Sequence, residues 1–134
     1  MKKDCIGNDI RILSHQIHRW IENSPNKKKI DSVTGANAWI IGYISDKTKN
    51  NEDVFQKDLE KNFEITRSTA SKVVNLMVEK GMVERQSVPW DARLKKLVLT
   101  DKGREINELM LEDFSVVEET LSKGFSEQEM EQFF

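Results

Sequence analysis

Thr66-Arg-Ser-Thr-Ala-Ser-Lys-Val-Val-Asn-Leu-Met-Val-Glu-Lys-Gly81 is the stretch on which the fold turns. On a 3.6-residue period Ala70, Val73, Val74 and Met77 form one apolar stripe, and Arg67, Ser68, Ser71, Lys72 and Asn75 fall on the opposite face. This predicts an amphipathic helix with Thr66 as N-cap and Gly81 closing the far end in the left-handed conformation. The polar face is unusual: hydroxyls, an amide and two cations, with the first acid, Glu79, only in the last turn. Such a face suits a polyanion, because short donors let a backbone approach, arginine forks onto guanine and asparagine pairs with adenine. A helix that is merely rich in hydroxyls would look the same, so the flanks must decide.

Downstream, Met82 to Gln86 alternates like a half-buried strand, as does Leu94 to Thr100, and the seven residues Ser87 to Arg93 are expected to join them as a hairpin loop. Upstream, Val54, Phe55, Leu59 and Phe63 predict a short helix, and Asn62 to Ile65 a turn into the helix at Thr66. Helix, turn, helix, hairpin is the order of a winged helix-turn-helix, whose second helix enters a major groove.

The run Leu59-Glu-Lys-Asn-Phe-Glu-Ile-Thr-Arg-Ser-Thr-Ala-Ser-Lys-Val-Val74, then Glu79 to Arg85, Asp91-Ala-Arg93 and Lys96-Leu-Val-Leu-Thr-Asp-Lys-Gly103, resembles the MarR family of multiple-antibiotic-resistance regulators. The resemblance implies a mainly α fold with a small β-hairpin wing, a winged helix-turn-helix over 34–103, and long dimerisation helices in 1–33 and 104–134 of one domain. It implies a homodimer that addresses a palindromic operator in double-stranded DNA, read here as transcriptional repression. Thr66, Arg67, Ser68, Thr69, Ser71 and Lys72 match positions that meet DNA, with Arg67 expected to read a base and Asn75, one turn further along, to reach the backbone. Arg93 matches the wing-tip arginine that enters a minor groove, held by Asp91, with Lys95 and Lys96 adding phosphate attraction. Read without the family, Asp91 and Arg93 are a surface pair that steadies a hairpin. Where the family often has glycine in the turn before its recognition helix this chain has Glu64, so Asn62 is expected to absorb a left-handed conformation there.

Composition agrees with a globular chain of one domain: 134 residues, 37% hydrophobic and 33% charged, with a net charge of only -2. The charge is unevenly spread, because residues 54–104 carry eleven Lys/Arg against seven Asp/Glu, whereas 105–134 carry one against nine. Phosphate binding needs a local positive face rather than a basic protein. No apolar run approaches a membrane span, and Lys2 and Lys3 lead into a polar stretch rather than a secretory leader, so a cytoplasmic location without membrane contact is expected. The single cysteine, Cys5, fits a reducing compartment.

The rest of the chain reads as helices. Residues 9–23 predict a first helix with Ile10, Leu13, Ile17, Trp20 and Ile21 on one face, ended by Ser24-Pro25-Asn26; Lys27 to Lys29 reads as a solvated loop. Thr34 is expected to cap a second helix through Ile44, followed by a polar connection from Ser45 to Asp53. After the wing, Thr100 starts a long helix carrying Ile106, Leu109, Met110, Phe114, Val117 and Leu121, Gly124 ends it, and Ser126 with Glu129 is a capping box for a last helix.

By resemblance, a small aromatic effector would bind between the dimer helices and the winged part, with His15, Arg19, Trp20, Trp39 and Tyr43 as walls and anchors; Trp39 and Tyr43 also read simply as core. Cys5 raises a redox-sensing alternative, although it sits well before the position where the resemblance would put a sensing thiol. His15 and His18 lack companion ligands, so no metal and no cofactor is expected. An enzyme lacks its parts: there is no Gly-rich phosphate loop, no His-x-x-x-His, no cysteine pair and no nucleophile placed beside a histidine. A winged helix serving only a protein partner would call for an acidic or apolar face where Arg67 to Asn75 lies.

Overall fold

The computed structural model describes residues 5–134; Lys2 and Lys3 lie outside the described residues. Seven helices and one hairpin follow in the order α1 (Ile6–Glu22), α2 (Pro25–Thr34), α3 (Ala38–Lys49), α4 (Gln56–Asn62), α5 (Arg67–Glu79), β1 (Val83–Val88), β2 (Asp91–Leu99), α6 (Asp101–Ser122) and α7 (Glu127–Phe133). The fold is mainly α with a two-stranded antiparallel wing, a winged helix-turn-helix flanked by terminal helices. No described helix is long and apolar enough to cross a membrane.

One core holds the winged part together. Ile40, Ile41 and Ile44 of α3, Leu59 of α4, Val74 and Met77 of α5, and Met82 and Val83 at the start of β1 are all essentially solvent-free. Leu97 and Leu99 of β2 and Ile106 of α6 close it. The Val54 carbonyl accepts from the Leu97 amide at 2.7 Å, tying the segment before α4 to β2. Phe55 begins α4 by donating its amide to the Asp58 carboxylate at 2.8 Å.

The first third differs from the sequence reading. Lys27 to Lys29 are not a loop but lie within α2. Ser24 and Pro25, read as a stop, are also a start: the Ser24 hydroxyl accepts from the Asn26 amide at 3.2 Å, and proline stands at the first helical position, where its missing N–H costs nothing. Ser24 also donates to the buried Asp113 of α6 at 2.8 Å, and Asn26 donates to the same carboxylate oxygen at 3.1 Å. Lys27 is committed to Glu22 and Asp31, and the hydrogen bond it donates to Asp31 raises its pKa above the ordinary lysine value.

Thr34 does not cap the next helix; it is the last residue of α2, bonded back to the Ile30 carbonyl at 2.9 Å. Helix α3 starts at Ala38 and continues five residues past Ile44, so Ser45 to Lys49 are helical rather than a connection. Ser45 faces inward, where its hydroxyl accepts from Asn107 of α6 at 2.9 Å. Val54 and Phe55 precede α4 rather than belonging to it.

Helix α1 buries no residue, with Ile6, Ile10, Leu13 and Trp20 between 79% and 43% exposed. At the other end Phe114 of α6 and Phe125, Phe133 and Phe134 around α7 are likewise exposed. These are apolar faces that the other described residues leave uncovered.

Candidate nucleic-acid interface

Helix α5 is capped as its sequence requires. Thr66 accepts from the Thr69 amide at 3.2 Å, and its hydroxyl lies 3.0 Å from the Thr69 hydroxyl and 3.1 Å from that of Ser68. Thr66 holds the first turn and is itself exposed, as are Arg67, Ser68, Thr69, Lys72 and Asn75, while Ser71 is half-buried. Ala70, Val73, Val74 and Met77 are buried on the other side. Gly81 follows at φ 76°, the left-handed residue past the helix end.

The turn into α5 is made differently from the expectation. Asn62 is the last residue of α4, and its amide donates to the Asp58 carbonyl and the Tyr43 hydroxyl at 2.8 and 2.7 Å. Glu64 itself takes the left-handed conformation, at φ 50°. A non-glycine residue pays for that turn with about 1 kcal/mol of strain.

The wing is longer than the sequence suggested. Its seven-residue loop contracts to the turn Pro89-Trp90, because β1 runs on to Val88 and β2 begins at Asp91. Val88 pairs with Asp91, but Ser87 pairs with Lys95, so Ala92, Arg93 and Leu94 form a bulge at the tip. Arg93 projects from that bulge with its side chain 92% exposed. Asp91 accepts from the Arg93 amide at 2.9 Å, while the guanidinium stands 3.4 to 3.5 Å from the two carboxylate oxygens. The carboxylate fixes the bulge firmly and restrains the guanidinium only loosely.

Strand register separates the two lysines that the sequence reading grouped. Val83, Arg85 and Ser87 pair with Leu99, Leu97 and Lys95, and by the two-residue alternation these six share one face, whose base is the core. Lys95 bonds across to Ser87 at 2.8 Å on that face. Lys96 belongs to the opposite face and lies 3.8 Å from Asp53. Arg85 was missed: it is exposed, and its Nη2 donates to Oδ1 of Asn75 on α5. Nothing in the pattern marks two residues ten apart, on a helix and a strand, as partners.

The wing and α5 are locked to α6 at one junction. The Thr100 hydroxyl donates to the Gly81 carbonyl at 2.6 Å and accepts from the Gly103 amide at 3.1 Å. Lys102 donates to the Lys80 carbonyl at 2.9 Å. The carbonyls of Lys80 and Gly81, just past the end of α5, are thus satisfied by the residues that begin α6.

The residues proposed for an effector cleft do not form one lining. Trp39 and Tyr43 flank Phe63, with ring centroids 4.3 and 5.2 Å away. Arg19 and Trp20 instead line a shallow depression of about 390 Å³ with Gln16 and Asn23 to Pro25, and His15 is exposed on α1. Cys5 is exposed immediately before α1. Among the described residues no group of three or more His, Cys, Asp or Glu is arranged to hold a metal.

The MarR family model matches residues 32–94, which span the end of α2 through the wing tip. Among solved structures, the transcription regulator MarR from Oenococcus oeni PSU-1 is 29% identical, with a TM-score of 0.63 over 96% of this chain and 92% of that one. MepR of S. aureus, solved in a complex with DNA, is 25% identical with a TM-score of 0.69, covering 92% of this chain and 87% of that one. The heme sensor PefR from Streptococcus agalactiae, solved with heme, shares the fold at 20% identity and a TM-score of 0.61, covering 99% and 88%. No curated protein matches by sequence.

Proposed function

We propose, from the premise that the chain belongs to the MarR family, that this regulator is a homodimer that represses transcription by occupying a palindromic site in double-stranded DNA. The observation that carries the reading is the exposed, acid-free run of Arg67, Ser68, Thr69 and Lys72 on α5, set beside a wing that offers Arg93 at its tip. In this reading α5 enters a major groove, Arg67 reads a base, the hydroxyls and Lys72 meet phosphate or base edges, and Arg93 reaches the adjacent minor groove, where a narrow A·T tract concentrates negative potential. MepR, a structural neighbour, was solved in a complex with DNA, which supports DNA as the partner.

The uncovered apolar faces of α1, α6 and α7 support a second copy as partner. Two winged units then face successive major grooves about 34 Å apart, the spacing that a palindrome requires. A promoter-bound dimer excludes polymerase, which is the basis for repression, and the site of action is the cytoplasm.

Small-molecule response is a second element of the reading, supported by the depression at Arg19 and Trp20 and by the heme bound in PefR. Because Trp39 and Tyr43 pack around Phe63, an aromatic effector would meet Arg19 and Trp20 first.

The test is selection from a random duplex pool, followed by anisotropy titration of the winner with wild type and Arg93→Ala at two salt concentrations. A palindromic winner and a large loss of affinity on removing Arg93, with an unchanged circular dichroism spectrum, are the expected results. Absence of enrichment over random DNA would overturn the reading.

A further inference from the structure

We infer that Arg85, which lies outside both the recognition helix and the wing tip, contacts a DNA phosphate, and that Asn75 is the positioning residue that holds its guanidinium for that contact. The inference rests on the DNA-binding reading above and adds a residue to it.

Three observations carry it. First, the strand alternation places Arg85 on the face of the wing that it shares with Val83, Leu97 and Leu99, the face whose base joins the core beneath α5. Further out the same face carries Ser87 and Lys95, both exposed, so two cations flank α5 on its wing side.

Second, Arg85 is charged without being neutralised. Among the described residues no carboxylate lies within ion-pair distance of it. Its neighbour Glu84 points to the opposite face, toward Gln86 at 3.4 Å. Lys96, by contrast, sits on that opposite face beside Asp53.

Third, the one side-chain partner of Arg85 among the described residues is neutral. Asn75 Oδ1 takes a single N–H from Nη2, which restrains the guanidinium yet leaves its charge and its other donors free. A restrained fork loses less freedom when it meets a phosphate. An asparagine so engaged has one lone pair of its Oδ1 committed to the wing.

The test uses the full chain and a labelled random-sequence duplex, with anisotropy recorded over a salt series. Arg85→Gln is expected to lower the slope of log affinity against log salt by about 0.9 per subunit, the loss of one phosphate contact. Arg85→Lys keeps a charge and is expected to restore that slope, which a folding defect would not do. Asn75→Ala is expected to weaken binding about two- to tenfold with the slope retained when Arg85 is present, and to have no effect in the Arg85→Gln background.

If wild type binds no duplex at low salt, the DNA reading falls and this inference with it. If wild type binds and Arg85→Gln keeps the wild-type slope, the phosphate contact alone is overturned. If Asn75→Ala costs the same in both backgrounds, or lowers the preference for the selected duplex over random DNA, the positioning role is overturned.

Discussion

Replacing Gly103 by alanine tests the junction where the wing, α5 and α6 meet. A Cβ built on Gly103 would lie 2.3 Å from the Met82 carbonyl oxygen and 3.3 Å from Leu99 Cδ2. The first contact is with backbone, so the two segments must separate by about 0.7 Å merely to reach the closest approach that real Cβ atoms show. That same carbonyl accepts from the Thr100 amide at 3.1 Å, and the displacement stretches this bond out of range. Overpacking of this kind costs about 1–3 kcal/mol and a lost hydrogen bond about 1 kcal/mol. Alanine returns about 0.4–1 kcal/mol through helix propensity and a less free unfolded chain. The net expectation is a destabilisation of about 2 kcal/mol, or about 1 M in the urea midpoint for a chain of this size. Equilibrium urea unfolding followed by circular dichroism, at one fixed protein concentration, measures it. Gly42→Ala is the control: its Cβ would meet only the mobile end of Met110, at 3.4 Å, and the midpoint should stay or rise. A Gly103→Ala protein as stable as wild type would refute the close-approach argument.

Four further outcomes are expected. Arg67→Ala should reduce the ratio of selected-site to random-DNA affinity by about 1–3 kcal/mol, and equal losses on both duplexes would make Arg67 a phosphate contact. Glu64→Gly should raise thermal stability by several tenths of a kcal/mol, because release of the left-handed strain at φ 50° exceeds the added chain entropy; a fall in the melting temperature would contradict that balance. Asp31→Asn should cost less than about 0.5 kcal/mol near neutral pH, since the pair with Lys27 is partly exposed. The folded Lys27 pKa is raised, so this contribution is present below the unfolded lysine value and disappears as pH climbs through the folded one; a difference that persists at higher pH would point away from the ion pair. Ile10→Asp, at an exposed apolar position of α1, should convert a two-chain species to a single chain in sedimentation velocity, and a wild-type protein that sediments as one chain would sink the dimer proposal.

The winged part was legible because its residues repeat at the period of the element they form. The stripe Ala70, Val73, Val74, Met77 is buried as its spacing indicates, and Thr66 and Gly81 mark the ends of α5. What escaped reading was decided by contacts between segments distant in sequence. Ser24-Pro25 is a stop and a start at once, and only the partnership with Asp113 shows why a helix begins there. Polar Ser45 looked like the end of α3 until Asn107 supplied its buried partner. The wing tip looked like a loop because the bulge at Ala92 to Leu94 breaks the alternation while leaving both strands paired. Lys95 and Lys96, adjacent in sequence, differ in surroundings because successive residues of a strand face opposite ways.

Trp90, at the two-residue turn of the wing, is 65% exposed, whereas Trp39 stacks at a tilt on Phe63 and Trp20 lies on α1. The tip therefore carries its own optical label. Its indole emits from water, to the red of the half-buried Trp39, and an acrylamide titration reaches it readily. With Trp20 replaced by phenylalanine, the accessible fraction of the fluorescence reports on the wing tip, and shielding of that fraction by an added duplex would time the arrival of the wing without any dye attached to the protein.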